Sequence, residues 1–458
     1  MSSSRALYRL LFSMLCAVLF GLLMLEQYAQ HAWLIDPNWY SLEETKDSVT
    51  FRCQSFRPVS FAKKKAKDTT RILFMGGSPI FGFPYRPVGT DPITTDEEQG
   101  IVGSLRQILQ QNSTQKYEII NLGINGGRSS DTYKVLQKAY VWDIDILLIY
   151  DGNNEFFHVP QDFSPTLWRS ALYRLFVTSA QPPPSVLVSK SPSPYGGFAQ
   201  EKAVEEEFSR TLGKIIDFAL EKNIQPIVIT QAILRTGYDP TWSVEGPPKE
   251  EETLRLKTLR QKYPKSAPVA WKWWRQQYEK GVWDEQALVD SVDYDSLRLR
   301  ARSSIQNIIR SIAQEKNIEM IDVYDSMIQN EEYDLDLFYD WVHPTSKGAH
   351  QIAHTITEHI LDTTTISSVP IKTKDLEAMR QIATIWLRAA CIREYDPTFR
   401  LNQARSYARK ILQQQPQDEF AHGVIKIVEN WIDSDILLNP NIRSIFKQQG
   451  SCLAVKIR

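Results

Sequence analysis

Five short apolar runs, each separated from the next by a segment of helical length, constrain this chain more than any other feature. The runs cover residues 72–75, 117–122, 146–150, 226–230 and 318–323. The helical segments cover about 100–111, 130–140, 203–222 and 297–315, and a last one, about 346–361, follows the fifth run. Strands buried on both faces read as continuous apolar runs, so this pattern predicts a parallel sheet between layers of helices.

The N-terminal segment, residues 1–33, is not typical of a globular protein. Arg5 and Arg9 precede an apolar run over 10–25, which is shorter than the roughly 20 residues of an ordinary membrane span. Because small residues for signal cleavage are poorly placed, the pattern favours an uncleaved single-pass membrane anchor. The alternative is secretion after cleavage. In both cases the arginines stay inside and the rest of the chain is exported.

Residues 34–70 are interpreted as a juxtamembrane linker and residues 71–362 as the main domain. The main domain contains a long insertion, 238–294, which carries Trp242, Trp271, Trp273, Trp274 and Trp283. An insertion of this length must have its own structure or a function. The aromatic side chains indicate either a helical cap with its own small core or a substrate lid.

Helical periodicity returns over residues 375–435, before a short tail, 436–458. The stretch "ARSYARKILQQQPQD" (404–418) resembles part of a tetratricopeptide repeat, but one motif is too few for an array. We therefore expect a small helical appendage, which is a candidate surface for a protein partner. The 53 basic and 54 acidic side chains nearly balance, which argues against a nucleic-acid partner.

Ser78 stands out because it follows Gly76 and Gly77 directly after the first apolar run and precedes Pro79. The carboxyl end of a parallel strand is where such folds place ligands. The glycines allow a tight turn, and proline is tolerated in the first turn of a helix. The sequence therefore predicts a serine hydroxyl held at a strand-to-helix turn, as a nucleophile requires. The α/β-hydrolase elbow does not fit, since Ile80 replaces its second glycine and Pro79 offers no N–H.

Three further stretches supply the other groups that acyl chemistry needs. The glycine-rich "NLGINGGRSSDT" (121–132) and "DGNNEFF" (151–157) follow the second and third runs, and offer backbone N–H groups and a side-chain amide to an oxyanion. In "YDWVHPTSKGAHQIAH" (339–354), His343 is a candidate general base and Asp340 a candidate residue to orient its imidazole. Arg128 and Asn153 are candidate substrate-binding residues. The alternative for Arg128, which the sequence favours, is a surface residue, and the alternative for Asn153 is a turn residue.

In this order along the chain, the four stretches resemble the blocks of the SGNH (GDSL-type) hydrolase family. Gly77 stands where many members have Asp, and Glu155 where Asp is commoner. The resemblance implies a three-layer α/β/α fold with a mostly parallel five-stranded sheet. It implies Ser78 as nucleophile, His343 and Asp340 as the rest of a triad, and an oxyanion hole made by Ser78, Gly126 and Asn154. The resemblance is strongest to exported bacterial members with helical tails. It implies an anchor in the bacterial inner membrane, with the catalytic domain periplasmic or extracytoplasmic.

The resemblance predicts an esterase that acts on acyl esters of an envelope glycan, lipid or small molecule, with no metal or organic cofactor. Two alternatives remain. The first is a membrane-tethered protein of polysaccharide O-acetylation, in which the same residues transfer the acyl group to another hydroxyl. The second is a non-catalytic envelope scaffold.

Overall fold

The fold was analysed in a computed structural model. The residues that the structure describes are 20–21, 24–25, 40–53, 56–86, 99–156, 164–170, 172–174, 198–235, 240, 243, 246–247, 251, 254–295, 300–328, 337–338, 340–367, 376, 379–380, 383–384, 387 and 397–433.

The predicted parallel sheet is present, with its five strands in the order β5-β4-β6-β7-β8 and every neighbouring pair parallel. The strands are β4 (Thr69–Gly76), β5 (Lys116–Asn121), β6 (Ile146–Tyr150), β7 (Gln225–Ile229) and β8 (Glu319–Ile321). The registers pair Leu73 with Ile120 and with Leu147, so β4 is flanked by β5 and β6. The three strands that precede the predicted site loops therefore lie side by side and end at the same edge.

Side chains along each strand alternate between two separate cores, because successive residues of a strand point to opposite faces. Leu73 and Met75 belong to one apolar cluster, together with residues from helices α3 (Ser129–Ala139), α4 (Phe198–Glu221) and α8 (Ser303–Lys316). Ile72 and Phe74 belong to the other, with residues from helices α2 (Ile101–Asn112) and α10 (Ser346–Ile360). The fold is therefore the three-layer α/β/α architecture that the sequence predicts.

A second sheet, which the sequence analysis did not predict, lies within the segment interpreted as a linker. Strands β1 (Tyr40–Glu44), β2 (Ser48–Cys53) and β3 (Val59–Ala62) form an antiparallel three-stranded sheet. Its residues Val49 and Phe51 belong to the first core, and the Phe61 ring packs against Trp142 with ring centroids 5.1 Å apart. The linker interpretation is wrong for these residues, because the sheet buries apolar side chains against the main domain.

The tryptophan-rich insertion forms a helical unit with its own small core. Its helices are α5 (Leu256–Lys262), α6 (Ala267–Tyr278) and α7 (Glu285–Asp293). Trp271 and Trp274 stack with ring centroids 5.1 Å apart and pack with Ala287 and Leu288. Packing thus accounts for these two tryptophans, as the helical-cap interpretation expects. Trp242 lies outside the described residues.

The C-terminal appendage is helical, as expected. Helices α11 (Pro397–Gln414) and α12 (Glu419–Asp433) share an apolar core that also includes Tyr85 of the main domain. The assignment to the tetratricopeptide family stays a prediction, and the tail 436–458 lies outside the described residues. Of the proposed anchor, residues 1–33, only 20, 21, 24 and 25 are described. No helix within the described ranges is long and apolar enough to cross a membrane.

Candidate active site

Ser78 lies at the carboxyl end of β4, as predicted, where the strand passes into the short helix α1 (Ser78–Phe81). Gly77 caps this helix in an extended conformation, and Pro79 occupies its first turn. The Ser78 side chain sits in a buried position, with 6% of the residue exposed. A Cβ atom on Gly77 would lie 2.5 Å from Nδ2 of Asn154, which is closer than packed atoms come. Glycine at this position therefore leaves room for the Asn154 amide beside Ser78.

The loop before α10 brings His343 to Ser78. Nε2 of His343 lies 2.7 Å from Oγ of Ser78, and Nδ1 lies 2.7 Å from Oδ2 of Asp340. The other carboxylate oxygen of Asp340, Oδ1, accepts hydrogen bonds from the backbone N–H groups of Val342 and His343. The two residues are thus held in one tight turn, so the carboxylate is fixed relative to the imidazole.

Asp340 is held in its charged form. Burial by itself would raise the pKa of its carboxyl, but the His343 side chain and the N–H groups of Val342 and His343 lower that pKa below its ordinary value. An ionised Asp340 favours the proton on Nδ1 of His343, which leaves Nε2 with a lone pair towards Ser78. The geometry therefore allows Nε2 to take the serine proton.

The loop after β5 is fixed against α1. The side chain of Asn121 donates from Nδ2 to the carbonyl of Ile80 and accepts at Oδ1 from the N–H of Gly123. A Cβ atom on Gly123 would lie 2.2 Å from the backbone nitrogen of Phe81, so only glycine permits this approach. The loop that carries Gly126 therefore has a fixed position relative to Ser78.

Gly126 has φ 73°, the left-handed region that favours glycine. The neighbouring N–H of Gly127 is donated to the carbonyl of Ile124, whereas the hydrogen bonds of the described residues include none from the N–H of Gly126. The assignment of the Gly126 N–H to an oxyanion hole stays a prediction.

Asn154 and Asn153 have different environments. Nδ2 of Asn154 donates one proton to the carbonyl of Gly127 and lies next to Gly77, the residue before Ser78. Asn153 is buried, and its amide donates to Oε1 of Gln231 and accepts from the N–H of Ala301. The amide of Asn153 thus joins three segments of the core, and the suggestion that it binds substrate is not supported by its position.

Two buried carboxyl groups near the site were not assigned a role from the sequence. Glu155 accepts hydrogen bonds from the N–H and Oγ of Ser129, which ties the Asn154 loop to the start of α3. Burial raises the pKa of Glu155 to about 7, against the effect of those hydrogen bonds. Burial and the charge of Glu155 also raise the pKa of Asp151 well above its ordinary value. In the sequence, Glu155 was noted only because it stands where Asp is commoner in the family that the chain resembles.

Arg128 is half-buried at the start of α3, where its N–H donates to Oδ2 of Asp131, and it lines a pocket beside the loop. Within the described part of the chain, no group of three or more His, Cys, Asp or Glu side chains is arranged to hold a metal ion.

A comparison with protein families matches residues 253–356 to the model described as GDSL-like Lipase/Acylhydrolase. This match includes Asp340 and His343, and begins after Ser78, Gly126 and Asn154. No curated protein matches the sequence.

Solved structures with a similar chain include a lipase/acylhydrolase from Enterococcus faecalis (12% identity, 66% of this chain and 100% of that one, TM-score 0.33). They also include the acetylxylan esterase Axe2 from Geobacillus stearothermophilus (16% identity, 64% of this chain and 96% of that one, TM-score 0.33). A third is a putative lipolytic protein of the G-D-S-L family from Desulfitobacterium hafniense (13% identity, 63% of this chain and 98% of that one, TM-score 0.31). TM-scores this low carry no argument about substrate.

Proposed function

We propose that this chain, a hydrolase of the SGNH (GDSL-type) family that acts on ester bonds, is a serine esterase with Ser78 as its nucleophile. The observation that carries the proposal is that His343 is hydrogen-bonded to both Ser78 and Asp340. Its Nε2 lies 2.7 Å from Oγ of Ser78, and its Nδ1 lies 2.7 Å from Oδ2 of Asp340. A nucleophile, a base in hydrogen-bond contact with it, and a third group that orients the base are the signature of an activated serine.

In the proposed first step, Oγ of Ser78 attacks the ester carbonyl carbon while Nε2 of His343 takes the hydroxyl proton. The charge on the carbonyl oxygen is stabilised by the N–H groups of Ser78 and Gly126 and by the amide of Asn154. This assignment does not need an N–H at Pro79. The imidazolium then gives its proton to the departing alcohol, which leaves an acyl group on Ser78.

In the second step, water attacks the acyl-enzyme. His343 takes a proton from that water and returns one to Oγ of Ser78, so that the acid is released and the free serine is restored. Asp340 stays ionised throughout and stabilises the imidazolium in both steps.

The test is turnover of p-nitrophenyl acetate, butyrate and octanoate by the full-length protein and by its Ser78→Ala variant. We expect measurable turnover by the wild type and a loss of about 10³-fold or more in the variant. The series of chain lengths also measures the size of the acyl pocket. Equal rates for the two proteins would contradict the proposal.

We also propose that the domain is exported and retained at the inner membrane by residues 1–33. The support comes from the sequence, in which Arg5 and Arg9 precede an apolar run. Fractionation of cells and protease treatment of spheroplasts test this location. A cytoplasmic, protease-protected chain would contradict it, and release of a shortened chain into the soluble fraction would indicate cleavage instead.

A further inference from the structure

A pocket of about 80 Å³ lies between α3 and α4, next to the loops that carry the proposed oxyanion donors. Four basic side chains line it, those of Arg128, Lys134, Arg174 and Lys214, together with the two acidic side chains Glu155 and Glu207. We propose that this pocket binds an anionic group of the substrate (a carboxylate, phosphate or sulfate), so that the esters hydrolysed belong to acidic molecules. This inference rests on the proposed esterase function.

The four basic side chains that line the pocket outnumber its two acidic ones. Glu207 is shared, since its Oε2 accepts hydrogen bonds from Arg174 at 3.0 Å and from Arg210 at 2.5 Å. Glu155 is engaged by Ser129, and burial raises its pKa to about 7, so part of it is uncharged near neutral pH. An excess of basic side chains around a pocket favours an anion as its ligand.

Lys134 is the most buried ammonium group of the pocket, with 12% of its side chain exposed. Burial lowers its pKa to about 8, although Asp131, whose Oδ1 lies 3.8 Å from Nζ, acts in the opposite direction. Desolvation disfavours the charged form of a lysine, and an anion bound beside it favours that form.

Lys214 differs from Lys134 because it is exposed at the edge of the pocket. It has no carboxylate within 4.0 Å among the residues described. Oγ of Ser130 also lines the pocket and is buried without a hydrogen-bond partner in the described structure. A buried hydroxyl without a partner costs free energy, and an oxygen atom of a bound anion would accept its proton. The first turn of α3, with its positive helix-dipole end, adds to these groups.

The pocket adjoins the proposed reaction centre. Arg128 is two residues beyond Gly126, so their Cα atoms can be no more than about 7 Å apart. Glu155 directly follows Asn154, and the carbonyl of Gly127 accepts the Asn154 amide proton. The two loops that carry the proposed oxyanion donors therefore also contribute residues to the pocket, so we infer that one ligand contacts both.

Binding can be measured apart from catalysis with the full-length Ser78→Ala protein, which does not consume an ester. The probes for calorimetry are trigalacturonate, inorganic phosphate, inorganic sulfate and, as a neutral trimer, maltotriose. We expect the anionic probes to bind and maltotriose not to bind, with affinity that falls as NaCl rises from about 0.05 to about 0.5 M. The ranking of the three anions distinguishes a carboxylate from a phosphate or sulfate source.

The decisive variant adds Lys214→Ala to Ser78→Ala, because Lys214 is exposed and its removal leaves the core intact. We expect affinity for the best anion to fall about tenfold, a change of about 1.4 kcal/mol. Lys202→Ala is the matched control, since Lys202 is an exposed lysine of the same helix outside the pocket. The affinity of this control variant for the same anion should equal that of the parent Ser78→Ala protein.

Two results would overturn the inference. One is no binding of any anionic probe, and the other is equal weakening by Lys214→Ala and Lys202→Ala. Hydrolysis of neutral p-nitrophenyl acetate by the protein with Ser78 tests the esterase function separately. Turnover without anion binding would refute the proposed anion site and leave the esterase function standing. Anion binding without turnover would refute the esterase function alone.

Discussion

The ring of Phe83 packs against the imidazole of His343, with ring centroids 4.7 Å apart and an interplanar angle of 58°. Phe83 also packs against the core of the C-terminal appendage, to which Tyr85, Leu401 and Tyr407 belong. Phe83 thus connects the core of the appendage with the proposed general base, although the sequence of the appendage resembles no catalytic motif.

Phe83→Ala should lower kcat for p-nitrophenyl acetate. An aromatic pair contributes about 1 kcal/mol beyond area burial, so the loss of orientation should reduce kcat roughly fivefold to tenfold. Phe61→Ala is a control, because Phe61 also packs edge-on against an aromatic ring, Trp142, in the additional sheet. It should lower the melting temperature and leave kcat unchanged. An unaltered kcat in Phe83→Ala would show that Phe83 does not position His343.

Asp340→Asn should retain the fold but lose about 10⁴-fold in kcat. The asparagine carbonyl can still accept the N–H groups of Val342 and His343, which puts the amide NH₂ against Nδ1 of the imidazole. The proton then resides on Nε2, which can no longer accept the proton of Ser78. Steady-state kinetics and circular dichroism measure the two effects. A loss smaller than tenfold would argue against the proposed triad.

Asn154→Ala and Asn153→Ala should separate catalysis from stability. Removal of one oxyanion donor costs about 3 kcal/mol of transition-state stabilisation, so Asn154→Ala should lower kcat by about 10²-fold or more. Asn153→Ala leaves the buried partner atoms of Gln231 and Ala301 without hydrogen bonds, which should cost about 2 kcal/mol or more of unfolding free energy. Kinetics and urea unfolding of both variants test this, and a reversed pattern would contradict the assignment of Asn154.

The sequence predicted the parts of this molecule that depend on local pattern. The strand over 146–150 was identified at the observed bounds, because a run buried on both faces is wholly apolar. The rule that parallel strands end at one edge placed the loops 121–132 and 151–157 near Ser78, and the family resemblance selected Gly126 and Asn154 within them. His343 was a candidate base by residue type, and the resemblance assigned it to Ser78, since nothing local indicates that a loop far along the chain returns to that residue.

The elements that the sequence analysis missed depend on long-range packing. In β2, Val49, Phe51 and Cys53 alternate with polar residues, a sufficient strand signal, but the partner surface on the main domain cannot be read from the sequence. The contact of Phe83 with His343 joins segments far apart in sequence. The same is true of the pocket that Lys134 and Lys214 both line. Burial of Glu155, which determines its pKa, is likewise a property of the fold.

The final prediction concerns that pKa. Burial raises the pKa of Glu155 from 4.5 to about 7 in the folded protein, so the folded state holds this proton between those values and the unfolded chain does not. The folded state then binds more protons than the unfolded one, and the free energy of unfolding falls as pH rises through this window. The contribution is on the order of 3 kcal/mol across the window.

Glu155→Gln should therefore flatten the decline in unfolding free energy between about pH 5 and about pH 7, because the amide does not titrate. Some slope should remain, since the pKa of Asp151 is also raised by burial and by the charge of Glu155. Urea unfolding at several pH values measures the slope, and Glu315→Gln, on an exposed part of α8, should retain the wild-type slope. A Glu155→Gln variant as pH-dependent as the wild type would mean that Glu155 is already ionised at pH 5.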